Sequence, residues 1–235
     1  MKVNLMSNLR KSFLYLALAA VLLLGFGSGR SFAGAEPNPA VIMDTSMGRI
    51  IIMLYPDSAP ITVKNFLRYV DEGFYNGTIF HRIVKMEIDK HSDANKKKQQ
   101  AINIVQGGGY NFPLERKMPL WDFIPLETGL ENTKGTIAMA RGGSPNTAQC
   151  EFFFNAEDNP GLDTMTVTRH MTDVLKDTSR NRQTNTIRAG YCAFGKVIRG
   201  MDVVEKMLDV KTERVGQHLN VPTKPIFIKK IYRAR

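Results

Sequence analysis

The pattern of hydrophobic and polar residues along the chain predicts many short strands and few helices. Residues 41–45 and 49–54 are two β-rich runs separated by Ser-Met-Gly at 46–48, and this arrangement predicts a hairpin. Because no strand–helix–strand rhythm repeats, the pattern favours an antiparallel sheet or barrel over a parallel sheet. A closing strand is predicted over residues 226–231, and further short strands, separated by glycines, are predicted around Phe80, Ile104, Ile137, Phe152 and Phe194.

Two segments have the periodicity of amphipathic helices. In the first, Pro60 suits an initial helical turn and Gly73 ends the pattern. The face between them is apolar at Val63, Phe66, Leu67 and Val70. A second, shorter helix is predicted over residues 202–208.

Residues 1–35 have the three-part organisation of a secretory signal peptide. A basic start is followed by an apolar core at 13–26 and by small residues, which predict cleavage between Ala35 and Glu36. An uncleaved membrane anchor is the alternative, but the core has about 14 residues, and a span needs roughly 20. The segment lacks the cysteine of a lipid-attachment site, so no lipid anchor and no membrane contact are expected after cleavage. The sequence favours a periplasmic location and leaves release from the cell as the alternative.

The remainder of the chain predicts a short leader at 36–40 and one domain over residues 41–232. About 200 residues are enough for a domain with a full hydrophobic core. Two stretches, 85–101 and 164–189, are charged or rich in Thr, Arg, Asp and Asn, and we interpret them as inserted solvated loops. A gating or partner-binding role for the first loop is the alternative, because loops of this length are often functional.

Charge and cysteine content narrow the classes of function. Removing the four basic residues of the signal peptide lowers the formal net charge from +10 to +6, which indicates solubility and weak attraction to anionic surfaces. No nucleic-acid-binding motif accompanies this charge, so no nucleic-acid partner is predicted. Cys150 and Cys192 have neither zinc-ligand nor redox-pair spacing, and the sequence leaves open whether they form a disulfide.

Five motifs in a fixed order resemble one family, the bacterial cyclophilin-type peptidyl-prolyl cis-trans isomerases. The resemblance covers nearly all of residues 40–232. It implies a mostly β fold, a closed eight-stranded antiparallel β-barrel capped by two α-helices, in agreement with the hydrophobic pattern. The motifs are GTIFHR at 77–82, VQGGG at 105–109, GTIAMAR at 135–141, FFFN at 152–155 and FGKVIRGMDVV at 194–204.

The resemblance implies that Arg82 is the catalytic residue. Rotation about a peptide bond needs no nucleophile and no proton transfer, only stabilisation of the twisted state. A guanidinium stays protonated and donates hydrogen bonds from a fixed planar fork, so it suits a pyramidal prolyl nitrogen. Without the other motifs, Arg82 would be interpreted instead as a structural arginine paired with a carboxylate.

The remaining pocket positions also follow from the resemblance. Gln106 is expected to bind substrate backbone and to orient Arg82, and Phe153 to receive the proline ring. Ile104 corresponds to an apolar wall position, and Leu162 to a leucine of the pocket rim. Ala140 corresponds to a small residue in the neighbouring strand that binds substrate backbone. Tyr191 is at the position where the family has histidine or tyrosine. Without the resemblance, each of these apolar residues would be interpreted as part of the hydrophobic core.

Three positions depart from the family pattern. Asn103 replaces a phenylalanine of the pocket wall, which is expected to weaken proline burial. Glu151 replaces a glutamine, and a carboxylate near Arg82 could pair with it; the sequence leaves open whether such a pair would orient the arginine or compete with substrate. Gly161 stands where many eukaryotic members carry the tryptophan that contacts cyclosporin, so weak or no cyclosporin binding is expected.

The reading favoured by the sequence is a monomeric, exported isomerase that acts on proline-containing segments of unfolded proteins. The reaction implied by the resemblance needs no cofactor and no metal, and the four histidines are scattered without ligand spacing. His81 is expected to hold the loop beside Arg82. The alternatives are a weakly catalytic or non-catalytic module that binds proline-containing segments, and a binder of anionic surfaces.

Overall fold

The structure is a computed structural model that describes residues 37–86, 102–163, 165–169 and 185–234. The predicted signal peptide, most of the first predicted loop and the middle of the second lie outside the described residues. No helix among the described residues combines the length and the hydropathy needed to cross a bilayer.

Eight antiparallel strands form one continuous sheet. Their order across the sheet is β13-β1-β2-β10-β6-β7-β4-β3, and the short strand β5 (Glu115–Arg116) pairs with the outer end of β4. The bounds are β1 Ala40–Thr45, β2 Arg49–Leu54, β3 Thr78–Val84, β4 Ile104–Asn111, β6 Thr136–Met139, β7 Phe152–Asn155, β10 Ala193–Arg199 and β13 Ile228–Arg233.

The two ends of this sheet meet and close it into a barrel. Ile79 in β3 forms an antiparallel bridge with Phe227, the residue before β13. Two backbone hydrogen bonds join the same segments, from Gly77 N–H to the Ile228 carbonyl at 2.8 Å and from Phe80 N–H to the Ile226 carbonyl at 2.9 Å. The prediction of an eight-stranded antiparallel barrel is therefore confirmed.

Two helices pack on the barrel, as predicted. Helix α1 spans Pro60–Asp71 and helix α2 spans Met201–Leu208. The N-terminus of α1 has no capping side chain of its own, because residue 59 is an alanine. Instead, Glu127 accepts hydrogen bonds from Ile61 N–H and from both the N–H and the hydroxyl of Thr62.

Side chains alternate between the two faces of the barrel wall, as the period of two in a strand requires. The larger apolar cluster fills the interior and includes Ile83, Val105, Phe152, Phe154 and Phe194. A smaller cluster lies on the opposite face of the same strands and includes Val84, Ile104, Ala138, Phe153 and Ala193. The chain therefore builds a second apolar surface on the outside of a filled barrel.

The structure differs from the sequence-based prediction in three elements. The ends of the predicted loop 164–189 pair as a ribbon of two strands, β8 (Met165–Arg169) and β9 (Asn185–Ala189). A hairpin of β11 (Thr212–Val215) and β12 (His218–Pro222) had no prediction. The last strand begins at Ile228, since Ile226 and Phe227 bond to β3 and to the β1–β2 turn at the point where the barrel closes.

Candidate active site

Three residues predicted for the site stand in one row across neighbouring strands. Arg82 in β3 is opposite Gln106 in β4, and Gln106 is opposite Phe153 in β7. The row continues through Ala138 in β6 to Ala193 in β10. Directly opposed residues project from the same face of a sheet, so a cation, an amide and an aromatic ring share the outer face.

The aromatic end of the row lies in the smaller apolar cluster. Phe153 is 2% exposed, and Ile104 and Leu162 are buried with it. The ring of Tyr191 packs edge-on against the Phe153 ring at a centroid distance of 5.4 Å. Leu162 ends the short 3-10 turn Pro160–Leu162, and its carbonyl accepts a hydrogen bond from Tyr191 N–H. The structure therefore brings these four predicted residues together.

A chain of hydrogen bonds runs from Arg82 to the carboxylate of Glu151. Arg82 Nη1 donates to Gln106 Oε1 at 3.1 Å, and Gln106 Nε2 donates to Glu151 Oε2 at 2.9 Å. The ion-pair partners of Glu151 in the described part of the chain are His81 and Arg116, not Arg82. The direct pair with Arg82 that the sequence left open is not formed, because the Gln106 amide lies between the two side chains.

The surroundings of Glu151 favour its ionised form. Burial alone would raise the pKa of this carboxyl, but hydrogen bonds and charge from His81, a hydrogen bond from Gln106 and the charge of Arg116 outweigh it. The net result is a pKa below the usual range of a glutamate. His81 Nε2 and Arg116 Nη1 each lie 3.4 Å from a carboxylate oxygen.

The glycines after Gln106 make room for neighbouring side chains. A Cβ at Gly109 would lie 2.4 Å from Glu151 Cγ, so only glycine leaves the carboxylate its place. Gly108 has a φ of 88°, and a Cβ there would collide with the rings of Tyr75 and Phe152. The Gly-Gly-Gly run is therefore a consequence of packing on both faces of β4.

His81 lies behind the site rather than in it. It is 5% exposed, its ring packs on that of Tyr110 at 4.4 Å between centroids, and Tyr110 in turn contacts the His218 ring of β12. Its Nε2 faces Glu151, and its Nδ1 has no hydrogen-bond partner among the described residues. Within the same residues, no three His, Cys, Asp or Glu side chains gather as metal ligands would.

Asn103, expected on the pocket wall, uses its side chain to hold the backbone. Its Oδ1 accepts a hydrogen bond from Met86 N–H at 2.9 Å, which ties together the two ends of the segment between β3 and β4. The Asn103 N–H donates to Asn159 Oδ1, and Asn159 Nδ2 donates to Asn155 Oδ1. This buried asparagine network fixes the turn that carries Leu162, and nothing in the apolar pattern revealed it.

Ala140 lines a cavity of about 380 Å³ beside Gln106. Its N–H donates to the Glu151 carbonyl, which fixes the end of β6 against β7. Arg141 places its guanidinium over the Tyr191 ring at 4.7 Å. The sequence did not reveal several residues of this cavity, since they come from irregular segments or from the two-residue strand β5, which have no periodicity: Arg116, Phe123, Arg141, Gly142, Thr147 and Gln149.

The two cysteines are separate and buried. Both are free thiols, and Cys192 Sγ lies 3.5 Å from the Thr62 hydroxyl oxygen. Burial raises the pKa of Cys150 to about 12 and that of Cys192 to about 11. The question that the sequence left open is answered by two unbridged thiols, which are protonated at neutral pH and therefore poor nucleophiles.

Comparison with known sequences gives one consistent result. Residues 40–233 match the family described as cyclophilin type peptidyl-prolyl cis-trans isomerase/CLD. A peptidyl-prolyl cis-trans isomerase of Acinetobacter baylyi is 38% identical over 200 residues, which are 83% of this chain and 86% of the relative. Isomerase A of Dickeya dadantii is 35% identical over 90% of this chain and 93% of its own.

Two more similarities extend the comparison. Isomerase B of Escherichia coli K12 is 36% identical over 81% of this chain and 97% of its own. Among solved structures, a cyclophilin-type isomerase of Cryptosporidium parvum aligns with a TM-score of 0.54 and 22% identity, covering 84% of this chain and 98% of that one. The structural similarity is evidence for the fold, and the sequence relatives are evidence for the family.

Proposed function

The chain belongs to the cyclophilin-type peptidyl-prolyl cis-trans isomerases, and we propose that it is exported to the periplasm and accelerates folding of exported proteins there. Isomerase activity follows from the family. The location, the clients and the roles of individual residues are the proposal. Its support is the signal-peptide organisation of residues 1–35 and the row formed by Arg82, Gln106 and Phe153.

The chemical task is to lower a rotational barrier. A peptide bond resists rotation by roughly 18–20 kcal/mol because the nitrogen lone pair is delocalised into the carbonyl. Before proline the two isomers are close in energy but exchange in tens to hundreds of seconds. In the twisted state the prolyl nitrogen is pyramidal and its lone pair accepts a hydrogen bond, so a fixed donor binds that state more tightly than the planar ones.

Arg82 is that donor in the proposed mechanism. One guanidinium nitrogen is held by Gln106 Oε1 at 3.1 Å, which restrains the side chain while other N–H groups of its fork remain to bind substrate. A pre-oriented donor needs little reorganisation when the lone pair appears. The observation that carries the proposal is the position of this guanidinium on the same outer face as the Phe153 cluster.

The proline ring is proposed to pack against Phe153, with Ile104, Leu162 and Tyr191 around it. Burying a ring of this size removes apolar area from water and contributes about 1–3 kcal/mol to binding. Residues on one side of the proline would occupy the cavity beside Gln106 and Ala140. The amide of Asn103 is engaged with Met86, so proline burial is expected to depend on Ile104 and Phe153 rather than on residue 103.

The decisive experiment is cis-to-trans exchange of a short Xaa-Pro peptide, followed by NMR, with the mature protein and the Arg82→Ala variant. We expect kcat/KM to fall by about 100-fold or more, the usual cost of removing one pre-oriented donor. Arg49→Ala is the matched control, since Arg49 is exposed and paired with Asp44. Equal rates for the wild type and Arg82→Ala, with peptide still bound, would favour the non-catalytic binding module instead.

Export is tested separately on the full chain carrying a C-terminal tag. Periplasmic release by osmotic shock and mass spectrometry of the N-terminus should give a protein that begins at Glu36. A tagged protein that stays with the cytoplasmic fraction at full length would overturn the proposed location while leaving the enzymatic proposal intact.

Two smaller parts of the proposal concern binding and assembly. Gly161 is exposed on the 3-10 turn and offers no ring to a macrocyclic ligand, so cyclosporin is expected to inhibit only weakly. The mature protein is expected to elute as a monomer. Submicromolar inhibition by cyclosporin, or a dimer in size-exclusion chromatography with light scattering, would contradict the respective part.

A further inference from the structure

We propose that Glu151 is a positioning residue for catalysis, and that its carboxylate fixes the amide of Gln106 in the orientation that holds Arg82. The carboxylate itself contacts Gln106, His81 and Arg116. It would therefore act on the reaction only through Gln106. This inference rests on the proposed role of Arg82 as the donor to the prolyl nitrogen.

A side-chain amide has two chemically different ends. The side chain of Gln106 has an oxygen that accepts and a nitrogen that donates, and rotation by 180° exchanges them. An ionised carboxylate only accepts, so the nitrogen must face Glu151, as it does at 2.9 Å. The oxygen is then turned toward Arg82, where it accepts at 3.1 Å. In the opposite orientation the amide nitrogen would face a guanidinium, and two donors would meet.

The carboxylate is itself held from several directions. On β3, His81 Nε2 lies 3.4 Å from Glu151 Oε2, and on β5, Arg116 Nη1 lies 3.4 Å from Oε1. On β4, Gly109 leaves the space that the Glu151 side chain occupies. Immediately after β6, the N–H of Ala140 donates to the Glu151 carbonyl. Tyr110 packs against His81 and is within reach of Arg116, so it completes the charged and titratable surroundings.

This arrangement predicts a specific kinetic signature. Loss of the acceptor at position 151 frees the Gln106 amide to rotate, and Arg82 then spends part of its time out of position. Because small misplacements of a catalytic group slow the chemical step, kcat is expected to fall while KM changes little. The effect should disappear when residue 106 has no amide to orient.

The experiment is a double-mutant cycle on the mature protein, with peptide exchange measured by NMR. The variants are Glu151→Met, which keeps length but removes the acceptor, Gln106→Ala, and the double variant. Glu151→Gln tests rescue, since its side-chain oxygen can accept the same hydrogen bond. Glu157→Gln is the matched control, because Glu157 is exposed and pairs with Lys134 away from the row.

We expect Glu151→Met to lower kcat about tenfold and Glu151→Gln to lower it less. In the Gln106→Ala background, adding Glu151→Met should lower kcat by less than about twofold. A loss of equal size in both backgrounds, or Glu151→Gln as slow as Glu151→Met, would overturn the proposal. If Arg82→Ala matches the wild type, the proposed role of Arg82 fails instead.

A second measurement applies to variants that fold poorly or whose isomerisation rates are too low to measure. The side-chain amide resonances of Gln106, assigned in the ¹⁵N-labelled protein, report its hydrogen bond to position 151 directly. They should shift strongly in Glu151→Met, less in Glu151→Gln, and stay in place in Glu157→Gln. Unchanged Gln106 resonances in Glu151→Met would show that the carboxylate does not hold the amide.

Discussion

The ring of Phe153 meets the ring of Tyr191 edge-on, with 5.4 Å between their centroids and 82° between their planes. Aromatic pairs in this geometry are worth about 0.5–1.5 kcal/mol beyond the area they bury. Tyr191 in turn lies under the guanidinium of Arg141. The floor of the proposed proline pocket is thus supported from the segment before β10 and from the loop after β6.

Replacing Phe153 by leucine should separate proline recognition from folding. The substitution keeps apolar volume but loses the ring contact, so kcat/KM is expected to fall about tenfold, or ~1.4 kcal/mol, through weaker proline binding. Phe154→Leu, on the interior face of the same strand, is the matched control. Phe154→Leu should lower the free energy of unfolding in urea by a similar amount but leave kcat/KM of the folded protein unchanged. An equal loss of kcat/KM in both variants would contradict the assignment of Phe153 to the pocket.

The carboxylate of Glu127 should stabilise helix α1 from outside the helix. It accepts three hydrogen bonds from the first helical turn, where the N-cap alanine supplies none. Glu127→Ala is expected to lower the free energy of unfolding by about 1–2 kcal/mol, as loss of a cap does. Urea denaturation measures this change, and the control variant Glu157→Ala is expected to unfold within about 0.5 kcal/mol of the wild type. An equal loss of unfolding free energy in both variants would refute the capping role of Glu127.

Stability should depend on the ionisation of Glu151. Its folded pKa is lowered from the ordinary value, so the ionised form favours the folded state, and this contribution is present above about pH 4.3, the usual value for a glutamate. The contribution is lost as the pH falls through the lowered folded pKa. The difference in unfolding free energy between the wild type and Glu151→Gln should therefore shrink from pH 7 to pH 3, and a difference that grows would reverse the assignment.

A methyl group at residue 109 should disturb the site through Glu151. Because a Cβ there would lie 2.4 Å from Glu151 Cγ, Gly109→Ala must move the carboxylate away from Gln106. We expect about a tenfold lower kcat together with about 1–3 kcal/mol lower stability from overpacking. Gly143→Ala is the control, since nothing lies within 4 Å of its added Cβ. Wild-type activity in Gly109→Ala would mean that β4 shifts without consequence.

Neither cysteine should influence stability through a disulfide. Both thiols are buried, with pKa values raised to about 12 and about 11, so they should resist modification until the protein unfolds. The melting temperature is expected to be the same with and without reductant. Rapid labelling of the native protein, or a fall of several degrees on reduction, would contradict this.

The sequence was sufficient for the barrel and for the central row. The β-rich apolar runs of β1, β2 and β7 and the helical period after Pro60 depend on local chemistry, and the structure follows them. Arg82, Gln106 and Phe153 were expected at one site, and strand register brings them opposite one another.

What the sequence did not reveal depends on contacts between distant segments. The partners of Glu151 include Arg116, which lies 35 residues earlier on a two-residue strand without any periodicity. The resemblance places Asn103 on the pocket wall, but its hydrogen-bond partners are Met86 and Asn159. The ribbon of β8 and β9 was hidden because polar residues dominate both segments.

The place of β1 between β2 and β13 has a consequence for biosynthesis. Ala40 at the start of the barrel accepts a hydrogen bond from Ala234 N–H, so β1 acquires its second neighbour only when the last strand arrives. A nascent chain still lacking that strand presents an unpaired edge and an open wall. Closure, and with it the finished outer surface, therefore requires β13, and ribosome-bound chains should remain protease-sensitive until residues 228–233 have left the exit tunnel.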